Sequence, residues 1–181
     1  MMVGLLILAG CATQSPETIR SGNNELVRYG RFALKAEDFN RPPEAVQGGF
    51  TWRDNGTRLT LDLTDPFGAV MARIVADQYG ATLTRANGEE VRATSPDALM
   101  QTVLGQSIPV EGLRSWLRTM RQAPQFMTVS SRDVQGRVQT FEQGGWGVQL
   151  AKFDDIGPQL LVITHNQGSK NIAIRLVIDS P

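Results

Sequence analysis

The segment "LTLDLTDPFGAVMARIV", residues 59–75, contains two strand patterns joined by a turn pattern. Its first six residues alternate leucine with polar residues, which is the period of a strand with one buried face. Asp65, Pro66, Phe67 and Gly68 then predict a type I turn. Such turns favour an Asx residue at the first position, proline at the second, where it fixes the φ angle, and glycine at the fourth. Phe67 would therefore stand at the outer corner of the turn.

An exposed phenylalanine at that corner has two interpretations. A single exposed apolar side chain is common on soluble proteins, and the ring could also fold back onto the sheet. Alternatively, the ring is exposed because it contacts something other than this chain. The segment alone leaves both interpretations open.

Segments with the same alternation recur on both sides of residues 59–75, at the spacing of an antiparallel sheet. Asn55-Gly56 and Asn87-Gly88 predict hairpin turns between such segments. The pattern predicts about ten or eleven strands. The segments are residues 29–39, 48–54, 57–64, 69–77, 80–86, 125–133, 136–143, 145–153, 159–166 and 170–179.

The middle of the chain changes to a helical period. Ser95 is suited to cap a helix that begins at Pro96 and stops at Gly105. Pro109 can open a second helix with one apolar stripe, formed by Leu113, Trp116, Leu117 and Met120. The sequence therefore predicts a mainly β fold with a helical insertion, an incomplete antiparallel barrel. A barrel this wide is not filled by its own side chains, so either helices cover its concave face or a cavity remains.

The N-terminus has the pattern of an export signal. An apolar run from Met1 to Ala9 is too short to span a bilayer and ends in small residues before Cys11, the only cysteine. "LAGC" resembles the lipobox of bacterial lipoproteins, in which the cysteine is acylated after the signal is removed. The alternative is a chance cysteine in a frayed terminus.

The lipobox resemblance predicts three regions. Residues 1–10 would be the signal peptide, residues 11–24 the lipidated N-terminus with a polar, flexible tether, and residues 25–181 a single domain. The residue after the cysteine is Ala12 and not an aspartate. By the lipobox resemblance, this implies sorting to the outer membrane, with the domain facing the periplasm.

The charge balance excludes two classes of partner. Eighteen basic and eighteen acidic residues cancel, so the chain has no electropositive footprint for nucleic acid and no polybasic patch for anionic lipid. Membrane attachment must come from the acyl anchor and from exposed apolar side chains.

No pattern in the sequence predicts catalysis. His165 is the single histidine, lies in a turn-like stretch and has no paired serine or cysteine nucleophile. Asp154 and Asp155 are adjacent, so their side chains would diverge at a strand end, which favours a solvated loop over a metal or acid–base site. We therefore expect a binding protein without metal or cofactor.

Five motifs follow the lipobox in a fixed order. They are "GRFAL" (30–34), "GGFTWR" (48–53), "LTLDLTDPFGA" (59–69), "SIPVEGLRSWL" (107–117) and "GWGVQLAKF" (145–153). The helix entry with its Leu-Arg-x-Trp core and the strand ending in Asp-Pro-x-Gly are the most specific. In this order the motifs resemble the LolB family of outer-membrane lipoproteins, which receive other lipoproteins from a periplasmic carrier and insert them into the membrane.

The resemblance implies an incomplete barrel with a helical lid, a hydrophobic cavity for acyl chains, and a projecting loop whose apolar tip is needed for membrane insertion. The loop falls on Asp65, Pro66, Phe67 and Gly68, with Phe67 at the tip where the family often has leucine. Ordinary core packing is the alternative for every cavity candidate. The candidates are Phe32, Phe50, Trp52, Leu63, Leu99, Leu113, Trp116 and Trp146.

The partners implied by the resemblance are a LolA-like periplasmic carrier, the acyl chains of lipoprotein cargo, and the outer membrane. The chain would act as a monomer, without nucleotide hydrolysis. An envelope lipoprotein that senses lipid or lipopolysaccharide on the same barrel, without passing cargo on, is the alternative function.

Overall fold

The computed structural model describes residues 25–38, 41–105 and 108–179, which form eleven strands and two helices. The elements follow in chain order. They are β1 (Leu26–Asp38), β2 (Arg41–Asp54), β3 (Leu59–Thr64), β4 (Val70–Asp77), β5 (Gly80–Arg85), β6 (Glu90–Ala93), α1 (Pro96–Leu104), α2 (Val110–Trp116), β7 (Met127–Arg132), β8 (Val138–Gln143), β9 (Trp146–Phe153), β10 (Pro158–Gln167) and β11 (Lys170–Ile178).

The strands form one antiparallel sheet in the order β6-β5-β4-β3-β2-β1-β11-β10-β9-β8-β7. β1 pairs with β11, with Phe32 opposite Leu176, so the first and last strands meet in the middle of the sheet. The edge strands β6 and β7 do not pair with each other. The predicted incomplete barrel is confirmed: the sheet is open, with both helices inserted between its two edge strands.

Two features of the sheet differ from the sequence prediction. β6 was not among the predicted segments, because four residues are too few to show an alternating pattern. β2 begins seven residues earlier than predicted, at Arg41, and includes Pro42 and Pro43. In this early part β2 pairs only with β1, and its pairing with β3 begins at Gly49. Prolines are tolerated there because the strand has a free edge.

The first helix has the predicted caps. Ser95 accepts a hydrogen bond from the Ala98 amide (3.1 Å), Pro96 is the first residue of α1, and Gly105 ends it with a φ of 67°. The second helix is shorter than its apolar stripe. α2 ends at Trp116, while the stripe continues to Met120, whose carbonyl accepts a hydrogen bond from the Val138 amide (2.9 Å). The last stripe residue therefore packs from a loop.

The two ends of the sheet are covered differently. We call one end of the sheet the closed end, because α2 and the segment after it lie there. It has the turns at residues 55–58, 78–79, 133–137 and 154–157. Arg114 is 3.3 Å from Asp54 and the Thr119 amide donates to the carbonyl of Ile156 (2.8 Å). The open end has the turns at residues 65–69, 86–89, 144–145 and 168–169.

A buried ion pair ties β1 to the turn between β9 and β10 at the closed end. Arg28 is 2 % exposed, and its guanidinium donates to the Asp154 carboxylate (2.7 Å) and to the Pro158 carbonyl (2.7 Å). Asp154 also accepts hydrogen bonds from the amides of Ile156 (2.9 Å) and Gly157 (2.8 Å). The expectation of a solvated loop is therefore wrong for Asp154, because an arginine distant in sequence reaches it across the concave face.

The environment of Asp154 changes its ionisation. Burial opposes the charged carboxylate, but the hydrogen bond from Arg28, the two backbone amides and the Arg28 charge outweigh that effect and lower the pKa of Asp154. A carboxyl whose pKa is lowered by folding stabilises the fold above its unfolded pKa of about 3.9, and this contribution is lost as pH falls through the folded value.

We expect Asp154→Asn to lower the free energy of unfolding at pH 7 by about 3 kcal/mol, because it leaves the Arg28 charge buried without its counter-charge. The wild-type protein should lose stability below about pH 4 as Asp154 becomes protonated, and the variant should not show this part of the loss. Urea unfolding at several pH values measures both effects. Asp155→Asn, in the exposed neighbouring position, is the control and should match wild type. Equal stability of the two variants would contradict a structural role for the Arg28–Asp154 pair.

Candidate functional site

The concave face of the sheet contains a cavity of about 270 Å³. Its walls come from β1 to β5, β11 and the helical insertion, and Arg85 is the only charged residue among them. The lining residues are Phe32, Leu34, Val46, Phe50, Trp52, Leu61, Leu63, Met71, Ala72, Ile74, Leu83, Arg85, Met100, Val103, Leu104, Ile108, Val110, Leu113, Leu117, Ile174 and Leu176.

The cavity wall follows from strand alternation. Phe50, Leu63, Ala72 and Arg85 are successive cross-strand partners on β2 to β5, so the inward side chains form a row across the sheet. Trp52, Leu61, Ile74 and Leu83 form the next row toward the closed end. Alternate residues of a strand face the same side, so the same four strands place polar residues outside.

The exposure of the lining residues shows where the cavity opens. Trp52 is 1 % exposed and Phe50 is 6 % exposed, whereas Val46 and Leu104 are each 48 % exposed. Exposure therefore rises along β2 from the closed end to the open end, and the apolar space opens at the open end. Arg85 lies in this opening, 3.7 Å from Glu89, so a charged pair stands at the rim of an apolar interior.

Five of the eight predicted cavity residues line this space. Phe32, Phe50, Trp52 and Leu63 project from the strands, and Leu113 projects from α2. Sequence reasoning missed the other sixteen lining residues. Ten of them lie on strands, and six, including Met100, Val103 and Ile108, lie in the helical insertion. Leu99, Val103 and Leu104 recur at helical spacing in α1, so the sequence did indicate an apolar face that includes Val103.

Leu99, Trp116 and Trp146 lie outside the cavity, which corrects the prediction for these three residues. Leu99 is fully buried on α1, which packs against β5 and β6. Trp116 packs edge-on against Phe141, with ring centroids 5.5 Å apart, and its indole N–H donates to the Gln143 side chain (2.9 Å). These rings fill the half of the concave face beneath β7 to β10, and the cavity occupies the other half.

Trp146 stacks on His165, with ring centroids 4.7 Å apart. The turn setting predicted for His165 is wrong: the residue lies within β10, half-buried, and its Nδ1 is 2.8 Å from the Gly145 carbonyl oxygen. The predicted strand segment at residues 159–166 includes this position, so the alternating pattern already indicated the strand.

The turn after β3 holds Phe67 in solvent. The Asp65 carboxylate accepts hydrogen bonds from the amides of Phe67 (2.8 Å) and Ala69 (2.9 Å), and the Gly68 amide donates to the Asp65 carbonyl (3.1 Å). Phe67 is 96 % exposed, so the ring does not fold back onto the sheet. The turn projects from the open end, where the cavity opens.

The described residues contain neither a membrane-spanning helix nor a metal site. Neither helix there is long and apolar enough to cross a bilayer. No group of three His, Cys, Asp or Glu side chains among residues 25–38, 41–105 and 108–179 is arranged to hold a metal ion. Cys11, the predicted lipidation site, lies outside the described residues.

Comparison with known proteins identifies the family. The sequence model of the family described as "Outer membrane lipoprotein LolB" matches residues 27–180. The chain belongs to the LolB family. It is 44 % identical to the outer-membrane lipoprotein LolB of Bordetella pertussis over 177 residues, which cover 98 % of this chain and 89 % of the relative. The LolB of Cupriavidus necator is 35 % identical over 182 residues, covering 96 % and 90 %.

Among solved structures, a LolA superfamily protein from Nitrosomonas europaea matches with a TM-score of 0.44 and 10 % identity, covering 86 % of this chain and 87 % of that chain.

Membership of the LolB family makes the chain an outer-membrane, lipid-anchored protein with a role in lipoprotein localisation. The family is not a family of known enzymes.

The cavity can be tested with one of the chain's own tryptophans. Trp52 lines the cavity, whereas Trp116 and Trp146 do not. We expect an acyl chain carrying bromine atoms to quench the emission of wild-type protein, of Trp116→Phe and of Trp146→Phe, and to lose most of its effect on Trp52→Phe. Leu113→Asn should weaken binding of the probe by about 1–3 kcal/mol, because an amide would face the chain without a partner.

Circular dichroism spectra of the four variants provide the folding control. Quenching that survives Trp52→Phe and disappears with Trp146→Phe would place the probe in the filled half of the concave face and contradict the assignment.

Proposed function

We propose that the cavity accepts acyl chains of lipoproteins from a LolA-like periplasmic carrier, and that the open end then delivers them into the outer membrane. The observation that carries this proposal is the position of Phe67, an almost fully exposed ring on the same end of the sheet as the cavity opening. A cavity used only for storage needs no apolar residue projecting beside its opening.

Differences in transfer free energy drive the proposed reaction. Acyl chains are costly to expose to water, so each step must pass them between apolar environments. The carrier would hold them least tightly, the cavity more tightly, and the bilayer most tightly. Transfer down this series needs no nucleotide. At about 270 Å³, the cavity is slightly smaller than the roughly 300–1,000 Å³ typical of ligand pockets.

The anchor and the binding domain have separate roles in this proposal. Acylated Cys11 holds the protein on the membrane, and the domain of residues 25–181 contacts the carrier and the bilayer. The domain acts as a monomer, since one chain provides both the cavity and the projecting turn.

Phe67→Glu is the variant that separates acceptance from delivery. Folding and acceptance should remain near wild type, because the turn tip contributes almost nothing to the core. Delivery should fall by tenfold or more, because a charge resists entering lipid and costs about 2.5–3.5 kcal/mol at the bilayer centre. Phe67→Leu should deliver almost normally, because the ring is needed for its apolarity.

The measurement is a pair of assays on each variant: transfer from carrier to receptor without membranes, followed by delivery to liposomes. Normal delivery by Phe67→Glu would remove the role of the turn. Acceptance without delivery by the wild-type protein would favour a sensing lipoprotein.

A further inference from the structure

Phe126 is an unusual residue for its position at the start of β7. It is 86 % exposed, so core packing does not require an aromatic side chain there. Its φ angle is 64°, in the left-handed region that phenylalanine rarely adopts. The Met127 amide donates to the Pro124 carbonyl (3.3 Å), which closes a four-residue turn with Phe126 at its third position. A type II turn favours glycine or asparagine at that position, because φ must be positive.

The register of the sheet places Phe126 at the same end as Phe67. Met127 pairs with Gln143, and Gln143 pairs with Trp146 across the turn at residues 144–145, which belongs to the open end. Phe67 projects from the turn between β3 and β4, which lie on one side of the central β1–β11 pair. Phe126 projects beside β7, the edge strand on the other side of that pair. The two most exposed phenylalanines among the described residues therefore stand at the open end, on different sides of the sheet.

We propose that Phe126 is a second lipid-contacting residue, which enters the bilayer together with Phe67 and fixes the angle at which the open end meets the membrane. This inference rests on the proposed function, because it takes the open end to face lipid. One inserted ring leaves the domain free to tilt about a single point. A second ring on the far edge strand restricts that tilt and holds the cavity opening against the bilayer.

The surroundings of Phe126 favour lipid over a protein partner. The neighbouring Gln125 and Ala123 are exposed and small or polar, so the ring is isolated and does not belong to a wide apolar patch. A specific protein interface needs about 800 Å² on each partner, which one ring cannot supply. A bilayer needs only that the ring reach it, and a lipid-anchored protein is already held at the membrane surface, where the effective concentration is high.

The experiment replaces Phe126 with tryptophan as a fluorescent reporter. The full acylated chain is reconstituted into phosphatidylcholine vesicles whose acyl chains are brominated. The chain's own tryptophans are at most 6 % exposed and give the background. We expect quenching of Phe126→Trp above that background, comparable to Phe67→Trp. Tyr79→Trp is the matched control, because Tyr79 is 87 % exposed in a turn at the closed end, and its emission should not be quenched.

Two further variants test the function of the ring. Phe126→Asn and Phe126→Gly suit the turn better, so their stability should equal or exceed that of wild type. Acceptance from the carrier should be unchanged, while delivery to liposomes should slow by roughly tenfold, as expected for loss of one buried apolar side chain.

The outcomes separate this inference from the proposed function. Quenching of Phe67→Trp without quenching of Phe126→Trp overturns the second contact and leaves the proposed function intact. Loss of acceptance in Phe126→Asn without quenching of Phe126→Trp indicates a carrier contact and also overturns it. Failure of the wild-type protein to accept cargo rejects the proposed function, and quenching of Phe126→Trp would then still support the lipid contact.

Discussion

The pairing of β1 with β11 is the constraint on which the rest of this structure depends. It joins the two ends of the described chain in the middle of the sheet, so the two edge strands are β6 and β7. The chain between β6 and β7 contains α1 and α2. Both helices therefore occupy the gap between the two edge strands, which a closed barrel would lack. Antiparallel strands can form one open sheet in this way only if something else covers the concave face.

The concave face is covered unevenly, and this unevenness creates the cavity. Beneath β7 to β10, Trp116, Phe141 and Trp146 fill the space with ring contacts. Beneath β2 to β5 the inward residues are mostly aliphatic, and α1 and α2 leave a gap that opens at one end. The Arg28–Asp154 pair draws the closed end together at the same time. The cavity opens at the end from which Phe67 projects.

Local patterns predicted the elements of the fold better than the contents of the cavity. Ser95, Pro96 and Gly105 set the bounds of α1 through short-range capping, and Asp65 with Gly68 set the turn, so neighbouring residues in the sequence contained the necessary information. Alternation shows which face of a strand is buried but not whether the space beside it is filled. Trp116 and Leu113 share one helix stripe, yet one packs on Phe141 and the other lines the cavity. The buried partner of Asp154 is 126 residues away in sequence, which no local pattern reveals.

The central claim is that acyl chains occupy one half of the concave face and not the other. Leu63 and Val129 are both half-buried strand residues packed against the core, and only Leu63 lines the cavity. A photo-crosslinking amino acid at each position, in separate proteins loaded with a lipoprotein whose acyl chains are radiolabelled, tests the claim directly. The account predicts crosslinks to acyl chains from position 63 and none from position 129. Equal crosslinking from the two positions, or crosslinking from position 129 alone, would contradict it.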